Sequence, residues 1–194
     1  MESTANREKL VSGARALFAE RGYAAVSVDE IAARAGLTKG AVYYQFKDKR
    51  DLFRAACQAV IDEIVDYVTR GTMDHVEHCV DEIVTGSGIL FDAYEGREAR
   101  QLLLIDGPAV LGMSAWIAMQ SRLRIELGEH ALHHVADAGL IERGMVPTLA
   151  HLLSGAFRQG VLQIAASDDP AETSAAVRAA YRRLALGLLT RTAE

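Results

Sequence analysis

The chain is poor in cysteine, proline and aromatic residues, with two cysteines, three prolines and one tryptophan among 194 residues. Two cysteines are too few for a disulfide framework, so reduced thiols and a cytoplasmic location are expected. No proline precedes residue 108 and β-branched runs are scarce, which predicts an almost entirely helical chain. The longest uncharged stretch, residues 107–121, is shorter than the roughly 20 apolar residues of a membrane-spanning helix, and the first residues lack the apolar segment of a secretion signal.

Charge is distributed unevenly along the chain. The whole chain carries a net charge of −5, but residues 1–54 hold ten Lys or Arg against seven Asp or Glu, and the remaining residues carry a net charge of −8. A basic head on an acidic body orients a molecule in the field of a polyanion. We therefore expect two domains, a head at residues 1–54 and a body at residues 55–194.

A helix start is encoded at residues 26–31. Ser27 can cap the backbone N–H of Glu30, and the Glu30 carboxylate can reach back to the N–H of Ser27, which makes a capping box. Val26 and Ile31 occupy the two positions of a hydrophobic staple around it. These signals agree and predict that the second helix of the chain begins at Val28.

Two short helices follow each other closely. Gly36 suits a left-handed helix end, and only two residues later Thr38 can cap a third helix over residues 39–45. Two short helices joined by a tight glycine-containing turn form a helix-turn-helix. Asp48, with Asp51 three residues later, can cap a fourth helix.

The exposed face of the third helix carries chemistry suited to DNA. Lys39 can donate to guanine or to a phosphate, Gln45 can read adenine, and the neighbouring tyrosines can contact thymine methyl groups or phosphates. Glycine inside a helix costs about 1 kcal/mol relative to alanine, which a close approach of a partner to the backbone would justify. Lys47, Lys49 and Arg50 flank the start of the fourth helix, where cations and helix N–H groups together favour phosphate. The candidate DNA-binding residues on and before the third helix are Thr38, Lys39, Gly40, Tyr43, Tyr44 and Gln45. An alternative is that one of the tyrosines, Tyr43 in particular, belongs to the core with its hydroxyl at the rim.

Residues 27–53, SVDEIAARAGLTKGAVYYQFKDKRDLF, resemble the DNA-binding head of the tetracycline-repressor (TetR) family. The resemblance covers roughly residues 7–55. It implies an all-α chain of about nine helices that acts as a homodimer on a double-stranded DNA operator and usually represses transcription until a small ligand binds the body. The positions that would touch DNA by this resemblance correspond to Lys39, Gly40, Tyr43, Tyr44 and Lys49. Ser27 is a further candidate DNA-binding residue. Gln45 departs from the family, which often has histidine there.

The body is expected to form further helices separated by short breaks. The pattern predicts helices at 49–69, closed by Gly71, and then at 73–94, 97–105, 108–138, 147–167 and 170–192. The last two mix small residues with leucine, which suits packing across a two-fold axis and resembles the dimer bundle of the family. The candidate dimer residues are Leu149, Leu153, Ala156, Val161, Tyr181, Leu184 and Leu188.

The interior of the body is expected to hold a cavity for a small, largely apolar effector. Plain core packing is the alternative for each wall residue. The candidate wall residues are Phe91, Tyr94, Leu103, Trp116, Met119 and Phe157.

Two histidine clusters have helical spacing that can suit a transition metal. They are His75, His78 and Cys79, and His130, His133 and His134. A structural zinc site usually needs four ligands and the sequence shows no further partner, so a solvated helix face is the simpler interpretation, and we expect neither a bound metal nor another cofactor.

The sequence contains none of the common enzyme motifs: it has no Glu-x-x-His set, phosphate loop, CxxC pair or nucleophile elbow. The sequence therefore favours a DNA-binding regulator over an enzyme. An activator or a ligandless repressor with the same head, a metal-responsive regulator, and an interaction module that has lost DNA binding stay open as alternatives.

Overall fold

The computed structural model describes residues 2–73 and 79–187, without the side chains at 2, 73, 79 and 121–126. Over these ranges the chain is helical and contains no strand, which confirms the all-α expectation. None of the helices in this part of the chain combines the length and the apolar character needed to span a bilayer.

Ten α-helices follow one another in the described residues, with a π-helical segment at Arg100–Asp106 and a 3₁₀ turn at Arg143–Met145. Their bounds are α1 Glu2–Arg21, α2 Val28–Arg34, α3 Lys39–Gln45, α4 Lys49–Met73, α5 Cys79–Glu95, α6 Arg97–Ala99, α7 Gly107–Leu111, α8 Met113–Asp137, α9 Val146–Ala165 and α10 Pro170–Gly187.

The helices group into two compact units. Unit one contains the residues up to 63 together with residues 96–119, and unit two contains residues 64–95 and the residues from 120 onward. The segment 96–119 therefore packs with the head, although the sequence assigned it to the body. A boundary at residue 54 stays a prediction.

The helix starts of the head are those that the sequence encodes. The Ser27 hydroxyl accepts from the Glu30 N–H at 3.2 Å, and a Glu30 carboxylate oxygen accepts from the Ser27 N–H at 2.8 Å, which confirms the capping box before α2. Asp48 accepts from the Asp51 N–H at 2.8 Å ahead of α4. Local side-chain hydrogen bonds thus fix where the short helices begin.

Polar contacts hold the segment 96–119 within unit one. The Asp106 carboxylate accepts from the Tyr23 N–H at 2.8 Å and from the Gln101 amide at 3.1 Å. Arg97 donates to the Glu20 carbonyl at 2.8 Å. The Arg15 guanidinium donates to the carboxylates of Glu63 and Glu98, at 2.5 and 2.9 Å, and these hydrogen bonds raise the pKa of Arg15.

The end of the fourth helix differs from the prediction. Gly71 was expected to close it, but α4 continues through Gly71 to Met73. A Cβ at Gly71 would lie 2.5 Å from Cδ1 of Ile89 on α5, so this glycine permits two helices to approach closely. The predicted start of the next helix at residue 73 borders on residues 74–78, outside the described residues, and α5 is described from Cys79.

The predicted helices at 97–105 and 108–138 are also divided differently. Asp106 and Gly107 do not end a helix, because α6, the π segment and α7 follow one another without a break up to Leu111. The break comes instead at Gly112, whose φ of +84° is strained for a residue with a side chain. Nothing in the sequence distinguishes Gly112 from a glycine that lies inside a helix.

Unit two has its own apolar core. Its helices α9 and α10 begin next to Pro147 and at Pro170, close to the predicted starts. Leu132 of α8 is buried against residues of both helices, namely Val146, Leu149, Ala150, Leu153 and Ala185. The predicted end of α10 near residue 192 lies outside the described residues.

Candidate nucleic-acid interface

The helix α3 presents its aromatic residues to solvent. The Thr38 hydroxyl caps it by accepting from the Ala41 N–H at 3.2 Å, and Val42 is buried beneath it. Tyr43 is 51% exposed and Tyr44 is 82% exposed. Neither ring is therefore part of the core of the described protomer, and both are free to contact a partner.

Two polar side chains of α3 already have partners in the protein. The Lys39 ammonium donates to the Asp29 carboxylate of α2 at 2.9 Å, and this hydrogen bond raises the pKa of Lys39. The Gln45 amide donates to the hydroxyl and the carbonyl of Ser3 on α1, at 2.8 and 3.1 Å. Both contacts are exposed, so exchanging them for contacts with DNA costs little.

Gly40 has no packing reason to be glycine. A Cβ at this position would meet only the Thr38 hydroxyl oxygen, at an ordinary 3.8 Å, and the residue is exposed in a helix without a positive φ. The fold would accept alanine here, which is also the better helix former. The missing side chain leaves the backbone of α3 open to a partner.

The three cations at the start of α4 are in different situations. Lys47 is exposed. The Lys49 ammonium lies 4.1 Å from the centroid of the Tyr23 ring, and its pKa is lowered by partial burial. Arg50 donates to the Leu111 carbonyl at 2.8 Å. Lys47 is thus available to a phosphate, Lys49 is held beside the helix start, and Arg50 is engaged within unit one.

Sequence reasoning missed the contribution of α1 to this surface. The guanidinium of Arg7 lies 5.1 Å from the centroid of the Phe46 ring, just beyond the end of α3, and Ser3 contacts Gln45. The basic character of the head was the only sequence signal for Arg7. Ser27, a further candidate DNA-binding residue, is exposed but has its hydroxyl hydrogen-bonded to Glu30.

Unit two contains a cavity of about 590 Å³, within the range of small-molecule sites. Phe157 is the one candidate wall residue among its described lining residues. Phe91 and Tyr94 are buried in the core of the same unit, where the Phe91 ring packs at a tilt against the Phe157 ring with centroids 4.5 Å apart. The residues that line the cavity include Val68, Thr72, Ile83, Leu90, Leu127, Leu132, Leu153, Ser154 and Tyr181.

The other three candidate wall residues, Leu103, Trp116 and Met119, belong to unit one. Trp116 is buried, and its indole N–H donates to the Leu103 carbonyl. These residues do not line the described cavity. The periodicity that marks a residue as buried does not tell whether it faces a void or another side chain.

The candidate dimer residues fall into two groups. Leu149, Leu153 and Val161 are buried within the protomer, so they pack in its own core. Leu184 of α10 is 47% exposed, whereas Ala156 and Tyr181 are half-buried. Leu188 lies outside the described residues. On α9 the exposed leucine is Leu152, at 63%, which the sequence reasoning did not select.

The chain is helical, contains a capped helix-turn-helix and exposes α3 to solvent. These features place it in the class of helix-turn-helix regulatory proteins. Comparison with known sequences agrees. Residues 10–56 match the profile of bacterial regulatory proteins of the tetR family, and residues 90–188 match that of the tetracyclin repressor-like C-terminal domain. The chain belongs to the TetR family.

Individual relatives show where the similarity lies. The chain is 46% identical over 65 residues to the transposon Tn10 TetC protein of Escherichia coli, covering 34% of this chain and 33% of that protein. It is 24% identical over 160 residues to the HTH-type transcriptional regulator YerO of Bacillus subtilis, covering 76% of this chain and 55% of YerO. The matches thus span about a third to a half of these curated relatives.

A solved structure extends the similarity to the whole fold. The crystal structure of a TetR-family transcriptional regulator from Pectobacterium atrosepticum superposes with a TM-score of 0.86 at 27% identity, covering 98% of this chain and 97% of that one. The body as well as the head therefore has the architecture of this family.

Proposed function

We propose that this protein is a sequence-specific DNA-binding transcriptional regulator that acts in the cytoplasm as a homodimer, represses transcription and leaves its operator when a small molecule binds. The observation that carries the proposal is α3, a capped helix with two exposed tyrosines and an unprotected glycine backbone. An activator or a ligandless repressor with the same head is the alternative, because α3 itself does not determine the sign of regulation.

In this proposal α3 enters the major groove. Lys39 and Gln45 exchange their contacts with Asp29 and Ser3 for base edges or phosphates, and Tyr43 and Tyr44 contact thymine methyl groups or the backbone. Lys47 and the first N–H groups of α4 bind a neighbouring phosphate. Phosphate contacts orient the head, and α3 supplies the sequence preference.

The dimer is proposed to form through exposed residues of α9 and α10. Ala176, Ala180 and Leu184 recur every four residues on α10 and are all exposed, and Leu152 is exposed on α9. Small residues beside leucine permit close helix packing across a two-fold axis. Two heads then read two half-sites, so the operator is expected to be a pseudo-palindrome.

The effector is proposed to bind in the cavity of unit two, whose mostly apolar wall suits a small, largely apolar molecule with a few polar groups. Release from DNA needs a coupling of only about 1–3 kcal/mol between the two sites, acting reciprocally. Within unit one, hydrogen bonds of Asp106, Arg97 and Arg15 tie the segment 96–119 to the head, so these parts are expected to respond together.

Selection of bound DNA from a random pool tests the main proposal. We expect an enriched pseudo-palindrome whose half-site spacing matches one helical turn or a multiple of it. Tyr44→Ala is the informative variant, because the Tyr44 side chain is exposed and its removal leaves the fold intact. The variant should no longer enrich the sequence that the wild-type protein selects. Tyr67→Ala, which removes a tyrosine of α4 in unit two that is 52% exposed, is the control and should enrich the same sequence. No enrichment by the wild-type protein would refute the proposal.

The effector part has a separate test. Trp116 is the only tryptophan and lies in unit one, whereas the cavity lies in unit two. A compound that binds the cavity and acts on the head should therefore shift Trp116 emission without touching it, and operator DNA should move the titration to higher compound concentration. Equal affinity with and without DNA would refute the induction mechanism and leave DNA binding untouched.

A further inference from the structure

One group of metal-ligating side chains lies in the wall of the cavity. Glu82 of α5 and His130 and His134 of α8 all line it. His134 Nδ1 lies 2.7 Å from one Glu82 carboxylate oxygen, and His130 Nε2 lies 3.9 Å from the other. One potential ligand atom from each residue falls within 4.8 Å of the others. His133, the third member of the cluster that the sequence suggested, is not part of this group.

We propose that Glu82, His130 and His134 form a binding site for a divalent transition-metal ion of the Zn²⁺ type, open to the cavity. Nitrogen and carboxylate ligands of Zn²⁺ lie about 2.0–2.1 Å from the ion, so tetrahedral ligands are separated by about 3.3 Å. The distances from the two histidine nitrogens to the Glu82 carboxylate oxygens, 2.7 and 3.9 Å, lie on either side of this value. The three side chains thus bring ligand atoms within 4.8 Å of one another, and rotation of the side chains would be needed to bring all three separations to this value.

The helical framework supports this geometry. His130 and His134 are four residues apart on α8, so one helix face presents both rings, whose centroids are 4.6 Å apart. The Glu82 carboxylate comes from a different helix and is only 15% exposed, which holds it in place opposite the rings. Two histidines from one helix and a carboxylate from another make three protein ligands, the number that leaves a coordination position open.

The open position defines the chemistry of a ligand that could bind there. The rest of the wall is mostly apolar, with residues such as Ile83, Leu90 and Phe157. A molecule with an oxygen or nitrogen donor at one end and an apolar remainder would bind the ion and fill the cavity. The proposed metal site is independent of the proposed DNA-binding function. Its test uses the protein without DNA, so a failure of one proposal can be distinguished from a failure of the other.

The alternative is that Glu82 and the histidines only form an ion pair that connects α5 with α8. Zinc titration of the tag-free full-length protein against a chromophoric chelator distinguishes the two. We expect one ion per chain, and His130→Ala, His134→Ala and Glu82→Gln should each weaken binding by more than about 100-fold, beyond the usual loss for an outer-shell partner. His130→Ala is the variant least able to disturb the fold, because that side chain is 68% exposed.

Two controls fix the assignment. His133→Ala removes an exposed histidine of the same helix turn and should bind zinc like the wild type. The triple variant His75→Ala, His78→Ala, Cys79→Ser should also retain binding, and the Co²⁺-loaded protein should show no thiolate-to-metal charge-transfer band. The proposal is overturned if the wild type binds no zinc, if His130→Ala binds it normally, or if the triple variant alone abolishes binding.

Discussion

Replacing Gly40 with alanine should change the stability of the fold and the affinity for DNA in opposite directions. The position is exposed, helical and open, since a Cβ would meet only the Thr38 hydroxyl oxygen at 3.8 Å. Alanine is the better helix former by about 0.5–1 kcal/mol. A protein of this size gains about 2–4 °C in unfolding temperature per kcal/mol. We therefore expect Gly40→Ala to raise the unfolding temperature by about 1–4 °C.

The same methyl group should weaken operator binding. If it displaces one charge-assisted hydrogen bond between the α3 backbone and DNA, the cost is about 1.5 kcal/mol at each head. Two heads of a dimer then lose about 3 kcal/mol, which is roughly a 150-fold weaker affinity. Gly40→Ala should thus be more stable and less active, a combination that damage to the fold cannot produce.

Thermal unfolding followed by circular dichroism, and titration of the selected operator followed by fluorescence anisotropy, measure the two effects. Gly144→Ala is a control, because a Cβ there would meet nothing within 4 Å and the residue lies in unit two; its operator affinity should stay unchanged. Gly36→Ala should instead lower stability, since Gly36 has φ +67°. A Gly40→Ala protein with wild-type operator affinity would refute the idea that DNA approaches this backbone.

Three further predictions concern charge, assembly and pH. About eight phosphate contacts per dimer should make the logarithm of the operator-binding constant fall with the logarithm of salt concentration with a slope of about −7. Lys47→Ala removes one contact per head and should make this slope shallower by about two. A slope near zero in anisotropy titrations would exclude phosphate binding. Leu184→Arg should give monomers in light scattering, whereas Ala175→Arg, exposed on the same helix, should stay dimeric. The Ser27 N–H and Arg21 lower the pKa of Glu30 from 4.5 to about 2, so the stability it contributes is present above pH 4.5 and lost as pH falls towards 2. The difference in unfolding temperature between wild type and Glu30→Gln should therefore shrink over that range, and a constant difference would contradict the assignment.

The sequence determined the head because its signals are local. A capping box spans four residues, a helix cap spans three or four, and a left-handed glycine acts on its own turn, so Ser27, Glu30 and Thr38 define their helix starts without any distant partner. The resemblance to the TetR family rests on the same local run. The exposure of Tyr44 also follows from its place opposite the buried Val42 on a short helix, whereas the sequence left Tyr43 open between the surface and the core.

Tertiary structure alone decided what depends on distant neighbours. The sequence pattern predicts a helix end at Gly71, yet this glycine lies inside α4, where the side chain of Ile89 packs against it. Helical spacing marks Leu153, Phe91 and Trp116 as apolar and periodic, but burial, cavity lining and membership of a unit depend on which helix lies opposite. The group of Glu82 with His130 and His134 joins residues about fifty positions apart, and no local pattern contains that information.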